Sequence, residues 1–131
     1  DRPYAPWDQM LRLYSGISSR DSQETACRKL AETLRRIDEK LMAIHPFLCG
    51  MIGVHVREKE DLSPEEIRRK TFSAMSDLFV ALTHLAPTIM LIEDLHWIDD
   101  ASREMVELAA TRIERGRLMI LVSHRPDFQP N

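Results

Sequence analysis

The strongest indication of fold class in this chain comes from two apolar runs, Thr88-Ile89-Met90-Leu91-Ile92 and Leu118-Met119-Ile120-Leu121-Val122. Uninterrupted hydrophobicity is typical of strands that are covered on both faces, as in a parallel sheet flanked by helices. The segment between the runs, Ala101 to Arg115, has apolar residues at helical spacing, with Asp99-Asp100 as its candidate cap and Gly116 as its end. The sequence therefore predicts a strand–helix–strand unit, whose crossover should be right-handed.

The sequence before residue 87 predicts helices only. Three helices are predicted there. The first runs from the Pro6-Trp7 region to Gly16, and the third runs from the capping pattern Ser63-Pro64-Glu65-Glu66 to Pro87. The second begins at Asp21 or Ser22 and should end at Pro46. Its apolar stripe lasts only about three heptads, so a helix with one face on a globular core is favoured over a coiled coil; the stripe is Cys27, Leu30, Leu34, Ile37, Leu41 and Ile44.

Length and composition fit one α/β, mostly helical domain. The chain has 131 residues, of which 44% are hydrophobic and 30% charged, and its formal net charge is −3. We assign residues 1–131 to a single unit, with a helical part at 1–86 and the strand–helix–strand part at 87–126. The start at Asp1 and the loop-like end at Asn131 suggest a piece of a larger protein.

Several classes of function are not expected. The sequence has no basic block that would favour nucleic acid. Its longest apolar run, Phe47 to Val54, is too short for a membrane span of about 20 residues. Because no signal peptide is recognisable either, a cytoplasmic location is expected.

The cysteines and histidines predict no metal site. Cys27 and Cys49 lie too far apart in the sequence for a metal knuckle or a redox pair, so buried reduced thiols are expected. No His-Glu-x-x-His pattern or i, i+4 pairing is evident, and zinc is not expected; the histidines are His45, His55, His84, His96 and His124.

Polar side chains follow both predicted strands. In open parallel sheets, ligands bind outside the carboxyl ends of the strands. Glu93 would hold Mg²⁺ through its water shell, and Asp94 would orient or deprotonate an attacking water. Arg125, near Ser123 and His124, would contact the terminal phosphate of a nucleotide. A solvated turn, a helix-capping cluster and a surface arginine remain the alternative interpretations of the same residues.

Three segments carry a resemblance to signalling ATPases. Leu91-Ile92-Glu93-Asp94-Leu95-His96-Trp97-Ile98-Asp99-Asp100-Ala101-Ser102 closely resembles the Walker B region of AAA+/STAND-type modules. Such modules occur in bacterial class III adenylyl cyclases, LuxR-type regulators and some large kinases. Leu121-Val122-Ser123-His124-Arg125-Pro126 is similar to their sensor-1 strand. Tyr4-Ala5-Pro6-Trp7, with Leu11 and Arg12, resembles the segment after their second strand.

The resemblance implies a partial P-loop NTPase core. It makes Glu93 the Mg²⁺ ligand, Asp94 the water-directing acid and Arg125 the sensor, with Ser123 beside it at the nucleotide. It also implies ATP and Mg²⁺ as cofactors of a parent protein that acts as a slow ATPase switch. The implied partners are the rest of the ATPase domain and a cyclase, kinase or DNA-binding output domain.

The sequence departs from the family pattern at two points. The second acid is the short Asp94, and no Gly-x-x-x-x-Gly-Lys-Ser/Thr loop occurs in the 131 residues. Such a loop would supply three charge-assisted hydrogen bonds to the phosphates, at about 1.5–3 kcal/mol each. Their summed energy approaches the roughly 8 kcal/mol binding free energy of a micromolar complex. This chain alone is therefore expected to bind ATP weakly or not at all, and to be inactive.

Two other functions stay open, and one consequence follows for association. The chain could serve as a non-catalytic helical interaction scaffold, or belong to an unrelated doubly wound α/β domain with a small-molecule site at the same edge. Because a two-strand sheet has two open edges, self-association is also expected.

Overall fold

The computed structural model describes residues 4–93, 99–112 and 117–123, and within them the chain is a mostly helical α/β protein. Short 3-10 helices occupy Glu39–Ile44 and Arg57–Lys59. In the described residues no helix combines the length and apolar character needed to cross a bilayer. The main elements are α1 (Ala5–Ser15), α2 (Gln23–Ile37), α3 (His45–Met51), α4 (Pro64–Leu85), β1 (Thr88–Ile92), α5 (Asp100–Arg112) and β2 (Leu118–Val122).

Three of the predicted helix signals, at Ser63-Glu66, Ser22 and Gly16, act where the sequence places them. The Ser63 hydroxyl accepts a hydrogen bond from the Glu66 backbone N–H at 3.1 Å, and the Glu66 carboxylate accepts one from the Ser63 N–H at 3.4 Å. This reciprocal pair satisfies two amide donors at the start of α4. Ser22 caps α2 through the Thr25 N–H at 3.1 Å. Gly16, at φ 67°, ends α1 in a left-handed conformation that glycine adopts without steric cost.

The prediction of one long second helix is wrong. The chain leaves the helix at Asp38, whose backbone is extended and whose carboxylate accepts a hydrogen bond from the Lys40 N–H at 2.9 Å. Short acidic side chains compete in this way with the helical backbone. Pro46, expected to end a helix, instead lies in the first turn of α3, where its missing N–H costs nothing. The apolar stripe of the sequence thus serves two elements, α2 and the following 3-10 helix.

A single hydrophobic core joins the helical part to the strand–helix–strand part. The rings of Trp7 on α1 and Phe79 on α4 pack edge to face, with their centroids 5.5 Å apart. Met90 of β1 and Met105 of α5 belong to the same cluster of buried side chains as these rings. The largest fully buried apolar residues are Phe79, Leu30, Leu34, Leu48, Ile52, Met75 and Met105.

An ion pair within α1 also contacts the end of α3. Arg12 Nε lies 2.6 Å from the Asp8 carboxylate, and the same guanidinium donates to the Ile52 carbonyl oxygen at 2.8 Å. The Asp8 side chain is only 8% exposed, whereas that of Arg12 is 32% exposed. The guanidinium therefore balances a buried charge and also satisfies a backbone acceptor at the end of a neighbouring helix.

The two strands pair in parallel, with a register that runs from Thr88↔Leu118 to Ile92↔Val122. The expectation that both faces of the sheet are covered is wrong for the described residues. Met90 is buried and its same-face neighbours Thr88, Ile92 and Ile120 are partly buried, but the opposite face is open because no described element packs over it. We call this surface the open sheet face; it consists of Ile89, Leu91, Met119 and Leu121, each about half to two-thirds exposed.

Candidate functional site

Parallel pairing brings the carboxyl ends of β1 and β2 to one edge. Ile92 pairs with Val122, and the Ser123 N–H donates to the Ile92 carbonyl oxygen at 2.9 Å. Glu93 and Ser123, the first residues after each strand, therefore follow neighbouring strand ends. Both are exposed, so this edge is open to solvent at the described positions.

The other two residues predicted for this site, Asp94 and Arg125, lie outside the described residues, as do the neighbouring His96, Trp97 and His124. Of the four predicted site residues, the structure thus brings Glu93 and Ser123 to adjacent strand ends. The roles assigned to all four stay predictions. Gly116, the predicted end of the last helix, is also outside the described residues.

Asp99 organises the start of α5, the helix that follows the predicted site in the sequence. Its carboxylate accepts hydrogen bonds from the Ser102 hydroxyl at 2.6 Å and from the Ser102 N–H at 3.0 Å. It also accepts a longer bond, at 3.5 Å, from the Tyr4 N–H at the start of α1. Partial burial opposes the charged form of Asp99, but these hydrogen bonds outweigh it and lower the pKa of the carboxyl group below 3.8.

Asp99→Ala is expected to lower the free energy of unfolding at neutral pH by about 0.5–2 kcal/mol, the usual cost of losing an N-cap. Because the folded-state pKa is lowered, this stabilisation is fully present above the ordinary value of 3.8 and is lost as pH falls through the lowered pKa. Urea denaturation across this pH range measures the difference.

Two further variants make the Asp99 result specific. Asp99→Asn keeps a capping oxygen without a charge, so it should recover most of the stability while losing the acid-dependent part. Asp100→Ala removes an 87% exposed neighbour and should change stability by less than about 0.5 kcal/mol. Equal losses in the Asp99→Ala and Asp100→Ala variants would contradict the capping role.

A shallow cleft of about 380 Å³ lies between the 3-10 helix Glu39–Ile44 and α4. Its lining mixes acidic, basic and apolar side chains, among them Asp38, Asp77 and His84. Since no strand residue of the described chain contributes to it, the cleft is separate from the strand edge.

A second group of reactive side chains lies between α2 and α3. The Sγ atoms of Cys27 and Cys49 are 3.0 Å apart, although 22 residues separate them in the sequence. His45 contacts the Cys49 Sγ through Nε2 at 3.3 Å and through Nδ1 at 3.8 Å. Its Nε2 also lies 2.9 Å from the Cys27 carbonyl oxygen. Cys49 is fully buried, and the other two residues are partly buried.

Sequence reasoning missed this group. Neither cysteine is in a disulfide, and of the two only Cys49 is buried as expected. The inference that their sequence separation keeps them apart is wrong. The signal that was available is His45-x-x-x-Cys49, since residues four apart on a helix share one face. The contribution of Cys27 depends on how the chain turns between α2 and α3, which no local sequence pattern indicates.

Comparison with known proteins gives one distant similarity. No family model matches the chain, and no solved structure matches it. An uncharacterized protein of Rhizobium meliloti, R02095, is 29% identical over 91 residues, or 70% of this chain. The matched region is 9% of that protein's length, so the chain corresponds to about one-tenth of this relative.

Proposed function

We propose that this chain is part of an ATP-binding switch module in a larger regulatory protein, where it supplies one edge of a P-loop NTPase core. One observation carries the proposal: β1 and β2 pair in parallel, so the acidic end of β1 and the polar end of β2 lie side by side. In open parallel sheets this edge is where phosphate-bearing ligands bind.

This proposal gives each of the four predicted site residues a separate role. Glu93 holds Mg²⁺ through its water shell, because Mg²⁺ gives up its waters reluctantly. Asp94 directs or deprotonates the attacking water. Arg125 contacts the terminal phosphate, for which a planar guanidinium is well suited, and Ser123 also contributes to nucleotide binding.

Two further observations support a larger parent. The open sheet face leaves four apolar side chains exposed, and large exposed apolar patches mark surfaces that other chain segments cover. The relative is also about ten times longer than the matched region. The remainder of the ATPase domain would cover this face and supply the phosphate-binding loop, and an output domain would respond to the nucleotide.

Binding of Mg-ATP by the full-length protein tests the proposal. Glu93→Gln should weaken ATP binding in Mg²⁺ by about 10–150-fold, the equivalent of one charge-assisted interaction of about 1.5–3 kcal/mol. When a chelator removes Mg²⁺, the Glu93→Gln variant and the wild type should bind ATP with similar affinity, because the Glu93 carboxylate acts through the ion. Glu24→Gln, at an exposed position on α2, is the matched control and should bind as the wild type does.

Two results would contradict the switch. If Glu93→Gln binds Mg-ATP as tightly as the wild type, the role of Glu93 is wrong. If the full-length protein binds no ATP with or without Mg²⁺, the module is degenerate. The alternative, a non-catalytic interaction scaffold, would then be supported by the open sheet face.

A further inference from the structure

We propose that Cys27, His45 and Cys49 form a Zn²⁺ site between α2 and α3, with a fourth position left for water or an external ligand. One ligand atom from each of the three residues can be chosen so that all lie within 4.8 Å of one another. Thiolate sulfur and imidazole nitrogen are the donors that zinc prefers. The site lies in the helical part and does not depend on the nucleotide edge.

The hydrogen bond of His45 fixes which ring nitrogen is available. A carbonyl oxygen only accepts, so Nε2, at 2.9 Å from the Cys27 oxygen, carries the proton. The neutral ring then has its lone pair on Nδ1. Histidines that bind metals commonly donate their other N–H to a backbone carbonyl, which holds the ring in place. Here that acceptor belongs to Cys27, another member of the site.

Two of the three distances between ligand atoms lie within about 1 Å of those in a zinc site. In a tetrahedral site with zinc–sulfur bonds of about 2.3 Å, two sulfurs lie about 3.8 Å apart, and a sulfur and a nitrogen about 3.6 Å apart. The Cys49 Sγ to His45 Nδ1 distance is 3.8 Å. The two sulfurs, at 3.0 Å, would separate by under about 1 Å to reach that geometry. A disulfide would use two of these side chains, whereas a metal uses all three.

The donor set decides the charge and the number of protein ligands. Binding converts two thiols to thiolates, so each Zn²⁺ releases two protons and the site becomes neutral. Among the described residues, no fourth protein ligand, such as a histidine or a carboxylate, joins these three side chains. Zinc sites with three protein ligands keep the remaining position for water.

Titration of the reduced, metal-free full chain with Co²⁺ tests the site. We expect one Co²⁺ per chain, with the sulfur-to-cobalt charge-transfer absorption and the visible bands of tetrahedral cobalt, and its displacement by Zn²⁺. Zinc addition in weak buffer should release about two protons per ion. Cys27→Ser should weaken binding by at least about 100-fold, more than the 10–100-fold loss typical of an outer-shell partner.

Matched variants keep the result interpretable. Cys27 is only partly buried, so serine there should leave the helical circular dichroism unchanged and permit the comparison. His45→Asn should weaken binding in the same manner, while His55→Asn, at a 73% exposed side chain outside the group, should bind as the wild type does. Absence of sulfur–cobalt absorption, or equal affinity in the wild type and Cys27→Ser, would overturn the proposal. So would an intramolecular disulfide whose complete reduction yields a chain that takes up no metal.

Discussion

Phe79→Ala is expected to lower the free energy of unfolding by about 3–5 kcal/mol, the cost typical of a large buried aromatic. Phe79 is 1% exposed and packs edge to face on Trp7 at 5.5 Å, so truncation removes contacts between α4 and α1. Loss of the aromatic pair adds to the cavity that the missing ring leaves. Since a domain is usually stable by only about 5–15 kcal/mol, this change removes a large share of the total.

Urea denaturation followed by circular dichroism measures the Phe79 effect. Leu13→Ala is the control, since Leu13 lies on α1 but is 76% exposed, and it should change stability by less than about 0.5 kcal/mol. A loss below about 1 kcal/mol for Phe79→Ala would show that the α1–α4 contact does not hold the core together.

Arg12→Met is expected to lower the free energy of unfolding by roughly 2–3 kcal/mol, somewhat less than the about 3–5 kcal/mol for breaking a fully buried ion pair. The variant takes the guanidinium from the Asp8 carboxylate at 2.6 Å and from the Ile52 carbonyl oxygen at 2.8 Å. Because Asp8 is mostly buried, its charge loses a neighbour that water replaces poorly. The partial exposure of Arg12 moderates the cost.

A double variant separates charge from packing. Asp8→Leu together with Arg12→Met removes both charges and should be more stable than Arg12→Met alone, since a buried pair replaced by apolar residues is often nearly neutral. Arg28→Met is the matched control: it breaks an exposed i, i+4 contact with Glu32 at 3.9 Å and should cost less than about 0.5 kcal/mol. If Arg12→Met and Arg28→Met destabilise equally, the Asp8 pair is not a buried interaction.

The fold was predictable wherever local chemistry dominates. The apolar runs fixed both strands to the residue, because each run ends in polar side chains, and Ser63 and Glu66 marked the start of α4 through their own hydrogen bonds. The break at Asp38 was not predictable, because the apolar stripe continues through it. Continuous hydrophobicity also overstated burial, since it reports what a strand can bury and not which neighbours the described chain provides.

The two candidate sites, the strand edge and the Cys27–His45–Cys49 group, also differ in how far the sequence predicted them. The adjacency of Glu93 and Ser123 follows from parallel pairing of neighbouring strands, which the sequence predicted. The roles of these residues, and of Asp94 and Arg125, stay predictions. The approach of Cys27 to Cys49 depends on how α3 packs against α2 after the chain turns, and such a tertiary contact has no periodic signature in one sequence.

The shared core also determines how this protein can be divided. Met90 of β1 and Met105 of α5 pack with the side chains of the upstream helices, so the boundary at residues 86 and 87 separates sequence patterns and not folding units. A truncation at that boundary would leave apolar surface on both pieces. In recombinant work or in domain shuffling, the helical part and the strand–helix–strand part therefore have to be kept together.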